Sequence, residues 1–275
     1  MQSRCLDGMI LAFIGKGGVG KTTVSSAVAL NLSQIGKTVL VSSDFMPCLQ
    51  HVFPKDPPNL KVVQLREREV AERWKKRYGE EVAMILNEFV EVDDWIIDHI
   101  ASSPGVAEEF LISNIVDLEM SGNYDYVIWD TAASSATMHL LFLEREFYSH
   151  LDRDVKIFLK IRDRFRSQKI LKLLEEWKAL ADRVWEQILL SKFFIVTTPD
   201  ELCLLQTEEI SLDLKSMGIN EPQRIYNRSK QKSEEQFGLL LPELSGSASE
   251  IVQKTKEALS NSIAFFTTPL QTTRK

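Results

Sequence analysis

The sequence predicts an α/β protein: a doubly wound, mostly parallel sheet flanked by helices, with a helical subdomain inserted into it. Three observations predict this. Short apolar runs of the kind buried strands show recur at Met9–Ile14, Thr38–Asp44, Leu60–Leu65, Tyr124–Asp130, Phe193–Thr198, Arg224–Asn227 and Ile263–Thr267. The first run passes through a glycine-rich segment into a helical pattern and then the second run, which makes a β-α-β unit. Two long intervals, roughly 66–118 and 139–191, are instead rich in Glu, Lys, Arg and Leu at helical spacing. With 275 residues and 44% hydrophobic content the chain can bury a large core. We therefore expect one domain over 1–275, its helical subdomain built from those two insertions.

The elements follow in order. Met9–Ile14 is far shorter than the roughly 20 residues that cross a bilayer, so it reads as a buried strand and not a signal. No later segment is long and uncharged enough to cross either, which predicts a cytoplasmic protein whose membrane connections run through a partner or client. The next helix carries Val24, Ala27, Val28, Asn31, Leu32 and Ile35 and closes at Gly36. The strand after it ends on Asp44, and functional loops are expected at the carboxyl ends of all the strands. In the second helical interval Ile170, Leu173, Leu174, Trp177, Leu180, Ala181, Val184, Trp185 and Ile188 recur at three- and four-residue steps and form one apolar face. The Ser/Gly/Glu-rich stretch around 229–250 is the weakest for regular structure.

Charge and cysteine content exclude several classes. A net charge of −6, from 39 acidic and 33 basic residues, gives no broad positive field for nucleic acid. Cys5, Cys48 and Cys203 are odd in number, widely spaced and without a Cys-x-x-Cys pair, which excludes a disulfide scaffold or a self-contained zinc knuckle.

The glycine-rich segment, Gly15-Lys16-Gly17-Gly18-Val19-Gly20-Lys21-Thr22, carries the chemistry. A loop that opens a helix offers unpaired N–H groups and the positive end of the helix dipole, and glycines let the backbone wrap phosphate oxygens closely. In this P-loop reading Lys21 meets the β and γ phosphates, Thr22 ligates Mg²⁺ and Thr23 reaches the α phosphate. ATP and Mg²⁺ are the implied cofactors. Asp130, at the end of an apolar strand, stands where a carboxylate holds Mg²⁺ through its water shell, though a solvated turn Asp also fits. Asp44 is placed to orient or deprotonate water, with a turn carboxylate as the alternative.

Lys16 departs from a generic phosphate loop. It resembles the deviant Walker A group of MinD/ParA partition ATPases, nitrogenase iron protein and arsenite-pump ATPases, a resemblance implying that Lys16 reaches the nucleotide of a facing subunit. Further segments are similar to the arsenite-pump and tail-anchored-protein-targeting ATPase family. Ser43-Asp44-Phe45-Met46-Pro47-Cys48-Leu49 resembles its first switch, Asp130-Thr131-Ala132-Ala133-Ser134-Ser135-Ala136-Thr137 its second, and Pro104-Gly105-Val106-Ala107-Glu108-Glu109 its Pro-Gly-x-x-Glu element. Thr198-Pro199-Asp200-Glu201, Gln206-Thr207-Glu208-Glu209 and Tyr226-Asn227-Arg228 complete the series in the family's order. The sequence departs from the family where Pro47 and Ala136 replace the switch histidines and where the intersubunit Cys-x-x-Cys is missing.

The resemblance implies a homodimer, or a heterodimer with a family member, closed by ATP and released by hydrolysis. Lys16 and Lys21 would stabilise phosphate charge, Asp44 would activate water, and Asn227 and Asp200 would contact the nucleotide. Asn227 also suits a turn, and Asp200 equally suits a helix N-cap. The implied role is delivery of hydrophobic clients such as tail-anchored proteins; the alternatives are the motor subunit of an anion (arsenite) pump and a nucleotide-binding scaffold with little hydrolysis. Client-groove candidates are Val82, Met84, Ile85, Leu86, Phe89, Val90, Trp95, Ile96 and Ile97, then Met138 and Leu140 to Leu143, although such a stripe is more often core. Cys48 alone makes no metalloid site and suits a small buried thiol.

Overall fold

A computed structural model describes residues 9–44, 48–87, 93–102, 106–146, 168–229 and 238–268. Cys5, Phe45 to Pro47, Phe89, Val90, Pro104, Gly105 and the arginines Arg162, Arg164 and Arg166 lie outside the described residues. The chain divides into two compact units, one within Met1–Gln64, Asp117–Met138 and Leu189–Lys275, the other within Leu65–Val116 and His139–Ile188.

Among the described residues the first unit is built on a sheet of seven strands: β1 Met9–Ile14, β2 Thr38–Ser42, β3 Leu60–Gln64, β4 Tyr126–Asp130, β5 Lys192–Thr197, β6 Gln223–Tyr226 and β7 Leu239–Leu240. They lie in the order β3-β2-β4-β1-β5-β6-β7, and every pairing is parallel. The inner strands β1, β2, β4 and β5 are largely apolar and buried because both faces are covered, while β3 and β6 carry less buried polar residues such as Lys61 and Arg224. Leu11 and Phe13 join the core around α1 (Lys21–Leu32), while Ile10, Ala12 and Ile14, on the opposite face, are equally buried. α1 is buried almost all round and shows no amphipathic stripe, as expected of a helix enclosed on every side. It packs on α9 (Ala248–Leu259), where Asn31 Nδ2 donates to the Lys256 carbonyl at 2.9 Å.

The strand order fixes the site. From β1 the chain first builds toward β3 and later returns to build toward β7, so β1 lies at the switch point with β4 on one side and β5 on the other. In open α/β sheets ligands bind outside the carboxyl ends of strands at such a point.

One expectation is corrected. Ile263–Thr267 is the short helix α10 and not a strand. Its Phe266 is fully buried, with its ring centroid 5.1 Å from Phe194, which itself stacks on Phe13 at 5.2 Å. An apolar run of five residues carries no periodicity that separates helix from strand, and here the covering of β1 and β5 decides it. Within 229–250 the regular structure among the described residues is the two-residue β7 and the start of α9. α9 opens with a full capping box, Ser247 and Glu250 each bonding the other's backbone N–H.

The second unit is helical: α3 Glu67–Leu86, α4 Asp94–Ala101, most of α5 Val106–Met120, much of α6 (134–146), and α7 Gln168–Leu190. The one-turn helix α2 (Leu49–Val52) and α8 (Glu201–Ser216) belong to the first unit. On α7, Ile170, Leu173, Leu174, Ala181, Val184 and Ile188 are buried while Trp177, Leu180 and Trp185 are half-buried, so the periodic apolar face points inward.

Candidate functional site

The glycine-rich loop leaves β1 and turns into α1 within six residues. Gly15 has φ +154°, and a Cβ there would lie 2.1 Å from the Val196 carbonyl oxygen of β5, so no other residue fits. Gly20 has φ +95°, and its Cβ would meet Asn227 Nδ2 at 2.4 Å. By contrast, nothing lies within 4 Å of a side chain placed at Gly17 or Gly18, so the mouth of the loop is open. The N-terminus of α1 has no side-chain cap and no acidic residue in its first turn. α8 and α9 start differently, capped by Asp200 and Ser247. An uncapped helix start facing an open glycine cradle leaves backbone N–H groups and the positive dipole end for an anion.

Lys21 and Asp130 organise the interior of this cradle. Lys21 is 8% exposed, and its Nζ donates to the carbonyls of Gly15 at 3.0 Å and Lys16 at 3.2 Å. Burial pushes its pKa down, against the opposing pull of Asp130 and Asp44. Asp130 is fully buried at the end of β4, in register with Phe13 on one side and Ser42 on the other. Its Oδ2 accepts from Thr22 Oγ1 at 2.9 Å and from Ser42 Oγ at 3.4 Å, and its Oδ1 accepts from Ser25 Oγ at 3.1 Å. Burial raises its pKa to about 6, although the Thr22 and Ser25 hydroxyls and the Lys21 charge oppose the shift. One carboxylate and one hydroxyl side by side are the sparse oxygen set that Mg²⁺ takes when it keeps most of its waters, so these residues fit that ion.

The remaining predicted residues take their places on the same edge. Asp44 follows β2, with its carbonyl accepting from Gln64 Nε2 at 2.5 Å; next to it Ser43 Oγ accepts from Trp129 Nε1 at 2.9 Å. Asn227 Nδ2 donates to the Val19 carbonyl at 2.8 Å, tying the end of β6 to the phosphate loop. Ser134 N donates to the Gly15 carbonyl at 3.1 Å, and Thr131 Oγ1 donates to the Phe13 carbonyl at 2.8 Å, so the segment after β4 is bound to the loop as well. Lys16 and Thr23 are half-exposed beside it.

Asp200 is the N-cap of α8. Its carboxylate accepts from Cys203 N at 3.1 Å and from the Thr198 hydroxyl, and these bonds, Thr198's first, hold its pKa near 2. Its carboxylate is committed to the helix end, and Lys16 is near enough for its charge to help. Cys48 is half-buried near the Thr22 hydroxyl, and burial followed by the Asp130 charge raises its pKa.

These features agree with what the chain is similar to. The model of the anion-transporting ATPase family matches residues 9–272. The chain belongs to that family. A putative arsenical pump-driving ATPase 2 of Aquifex aeolicus is 32% identical over 241 residues, which cover 80% of this chain and 79% of that protein. ATPase GET3A of Arabidopsis thaliana is 25% identical over 248 residues, or 78% of this chain and 65% of the plant protein. A putative arsenical pump-driving ATPase of Halobacterium salinarum is 26% identical over 232 residues, 80% of this chain but only 35% of its own length. The chain thus spans most of the Aquifex relative and about a third of the Halobacterium one. The family is one of ATPases, with an all-parallel P-loop sheet to match.

Ser25, Ser42 and Gln64 escaped the reading of the sequence. Ser25 stands three residues after Thr22 on α1, a same-face spacing that signals a shared partner. Ser42 and Gln64 gave no such signal, because only strand register brings them to Asp130 and Asp44. Among the client-groove candidates, Ile97, Met138, Leu140 and Leu141 are buried and Val82, Ile85, Leu86, Ile96 and Leu143 half-buried; Met84, Trp95 and Phe142 are exposed. Ala136, at a switch position, is exposed in α6. Among the described residues no helix is long and apolar enough to cross a membrane.

Proposed function

We propose that this family member binds and hydrolyses Mg²⁺·ATP at the carboxyl edge of its sheet, works as a dimer, and uses nucleotide-driven closure to bind and deliver hydrophobic client segments such as those of tail-anchored proteins. In this reading residues 1–275 form one P-loop ATPase domain, and helices within 66–118 and 139–191 act as its client-handling subdomain. The carrying observation is the uncapped start of α1 opening on the glycine cradle, with Lys21 and the Thr22–Asp130 pair at its base. The backbone N–H groups of residues 15 to 22 bind phosphate oxygens, and Lys21 moves from the loop carbonyls to the β and γ oxygens. Mg²⁺, when bound, supplies the positive charge that offsets the charge building on the transferred phosphoryl group. Thr22 would ligate it and Asp130 would hold its water shell. Asp44 orients the attacking water and accepts its proton. Lys16 completes the phosphate site of the facing subunit, Thr23 meets the α phosphate, and Asn227, which already braces Val19, borders the adenine; Asp200 shapes that edge as the cap of α8.

Pro47 and Ala136 at the switch positions favour a second reading, a nucleotide-binding scaffold with little turnover. A pump-motor role, which the names of two relatives carry, would call for more thiols than three scattered cysteines. Steady-state phosphate release by the wild type and Asp44→Asn, with and without a transmembrane-segment peptide, separates these readings. Light scattering is recorded in ADP and in a non-hydrolysable ATP analogue. We expect turnover that Asp44→Asn abolishes, dimers only in the analogue, and peptide capture by those dimers. Tight ATP binding with no turnover above Asp44→Asn and no capture sinks the delivery reading and leaves the scaffold.

A further inference from the structure

We propose that Gln64, at the carboxyl end of β3, is a positioning residue for hydrolysis: its side-chain amide holds the Asp44 backbone so that the Asp44 carboxylate faces the attacking water. The inference rests on the proposed role of Asp44 in activating that water. Asp44 lies two residues beyond the end of β2, past the point where strand pairing fixes the chain. Ser43 is still tied to the sheet, its N–H donating to the Asp130 carbonyl at 3.1 Å and its hydroxyl accepting from Trp129 Nε1 at 2.9 Å. At Asp44 the backbone is held by side chains instead. Its N–H donates to Ser42 Oγ at 3.3 Å, and its carbonyl accepts from Gln64 Nε2 at 2.5 Å.

Of these two bonds the one from Gln64 is much the shorter, and the Ser42 hydroxyl is shared with Asp130 Oδ2 at 3.4 Å. Register delivers Gln64 to this place, because it pairs with Ser42 across β2 and β3 while Asp130 pairs with Ser42 across β2 and β4. Asp44 stands near enough to Lys21 and Asp130 for its charge to act on both, so where its backbone sits decides where its carboxylate meets the phosphate site. A displacement of about 1 Å in a group that orients a reactant costs on the order of 100-fold in rate.

The other end of the same amide shows what the residue is for. Gln64 Oε1 is buried and has no hydrogen-bond partner among the described residues. Turning the amide over would satisfy nothing, since it would set that oxygen against the Asp44 carbonyl, one acceptor facing another. Leaving a buried acceptor unpaired costs stability, and an apolar side chain of the same length would avoid the cost. A glutamine here therefore gives up stability for the single bond it donates to Asp44, the pattern expected where chemistry and not packing selects the residue.

The test measures ATP hydrolysis against ATP concentration at pH 8, with thermal unfolding of the same preparations, for the full chain and its Asp44→Asn, Gln64→Met and Gln64→Glu variants. Gln64→Met keeps the length of the side chain and removes both the donor and the unpaired acceptor. We expect its kcat to fall about tenfold or more, its KM for ATP to stay within about twofold, and its unfolding midpoint to match or exceed that of the wild type. Gln64→Glu, ionised at this pH, turns a carboxylate oxygen toward the Asp44 carbonyl and should lower kcat further, which supplies a reading even where Gln64→Met does not fold. Wild-type turnover no greater than that of Asp44→Asn removes the role of Asp44 and the proposal with it. Turnover that Asp44→Asn abolishes but either Gln64 variant retains within about twofold overturns the proposal alone. So does a rise in KM at constant kcat, which makes Gln64 a nucleotide-binding residue, or a lower unfolding midpoint at constant kcat, which makes it a structural one.

Discussion

The two units solve the burial of polar groups in opposite ways. In the sheet unit, Asp130 is fully buried and Lys21 nearly so, each held by hydrogen-bond partners that strand register or the phosphate loop delivers. In the helical unit a few polar side chains, Asn114 and Glu144 among them, are buried in an interior built mostly from rings and aliphatic chains such as Ile170, Leu174 and Ala181. The first arrangement costs stability and positions chemistry; the second supplies stability through packing. Changes at the sheet edge should therefore remove function and spare the fold, whereas changes inside the helices should do the reverse.

The largest effect is expected from Lys21→Met. Loss of a preorganised cation at the phosphates should lower turnover by at least about 100-fold. The unfolding midpoint should not fall, because burial already disfavours the Lys21 charge. Phosphate release and thermal unfolding on one preparation check both halves, and a collapse in stability would break the contrast. Next comes Leu111→Ala in α5, where the side chain is 1% exposed. It should cost about 2–5 kcal/mol by denaturant unfolding, with the ATP affinity of the folded protein unchanged. A parallel loss of ATP affinity would mean that the packing of the helices sets the phosphate site.

A smaller effect sharpens the comparison through pH. Asp130 has its pKa raised in the fold from 3.8 to about 6, so its folded form prefers the proton. The stability linked to that preference is present below about pH 4 and is lost as pH rises through 6, a change of up to about 3 kcal/mol. Urea unfolding of nucleotide-free protein should show Asp130→Asn gaining on the wild type between pH 5 and pH 8, while losing Mg²⁺-dependent activity at every pH. A constant gap across that range refutes the account. The smallest effect is Ser247→Ala, which removes half of the α9 capping box and should cost about 1 kcal/mol with turnover unchanged.

How much of this was legible depended on how local the cause was. The passage from β1 through the loop to α1 could be read residue by residue, because glycine conformations and helix start are set within a dozen positions. Asp130 and Asp44 were legible as strand-end carboxylates, but the hydroxyl ring of Thr22, Ser25 and Ser42 around Asp130 was not, since it draws on α1 and β2 at once. Asp200 fitted two roles in the sequence, and the bonds from Thr198 and Cys203 make it a helix cap. The Ser247-Ala248-Ser249-Glu250 box was a readable signal for α9 that a composition-based view of the region concealed.

The sequence by itself determined the parallel α/β class, the phosphate loop and the inward faces of the helices, because backbone sterics and hydrophobic periodicity act over a few residues. Tertiary structure alone decided that Ile263–Thr267 is a helix closing over Phe194 and that Gln64 reaches Asp44. Those outcomes depend on which distant segments share a boundary, and no local preference of the chain specifies that.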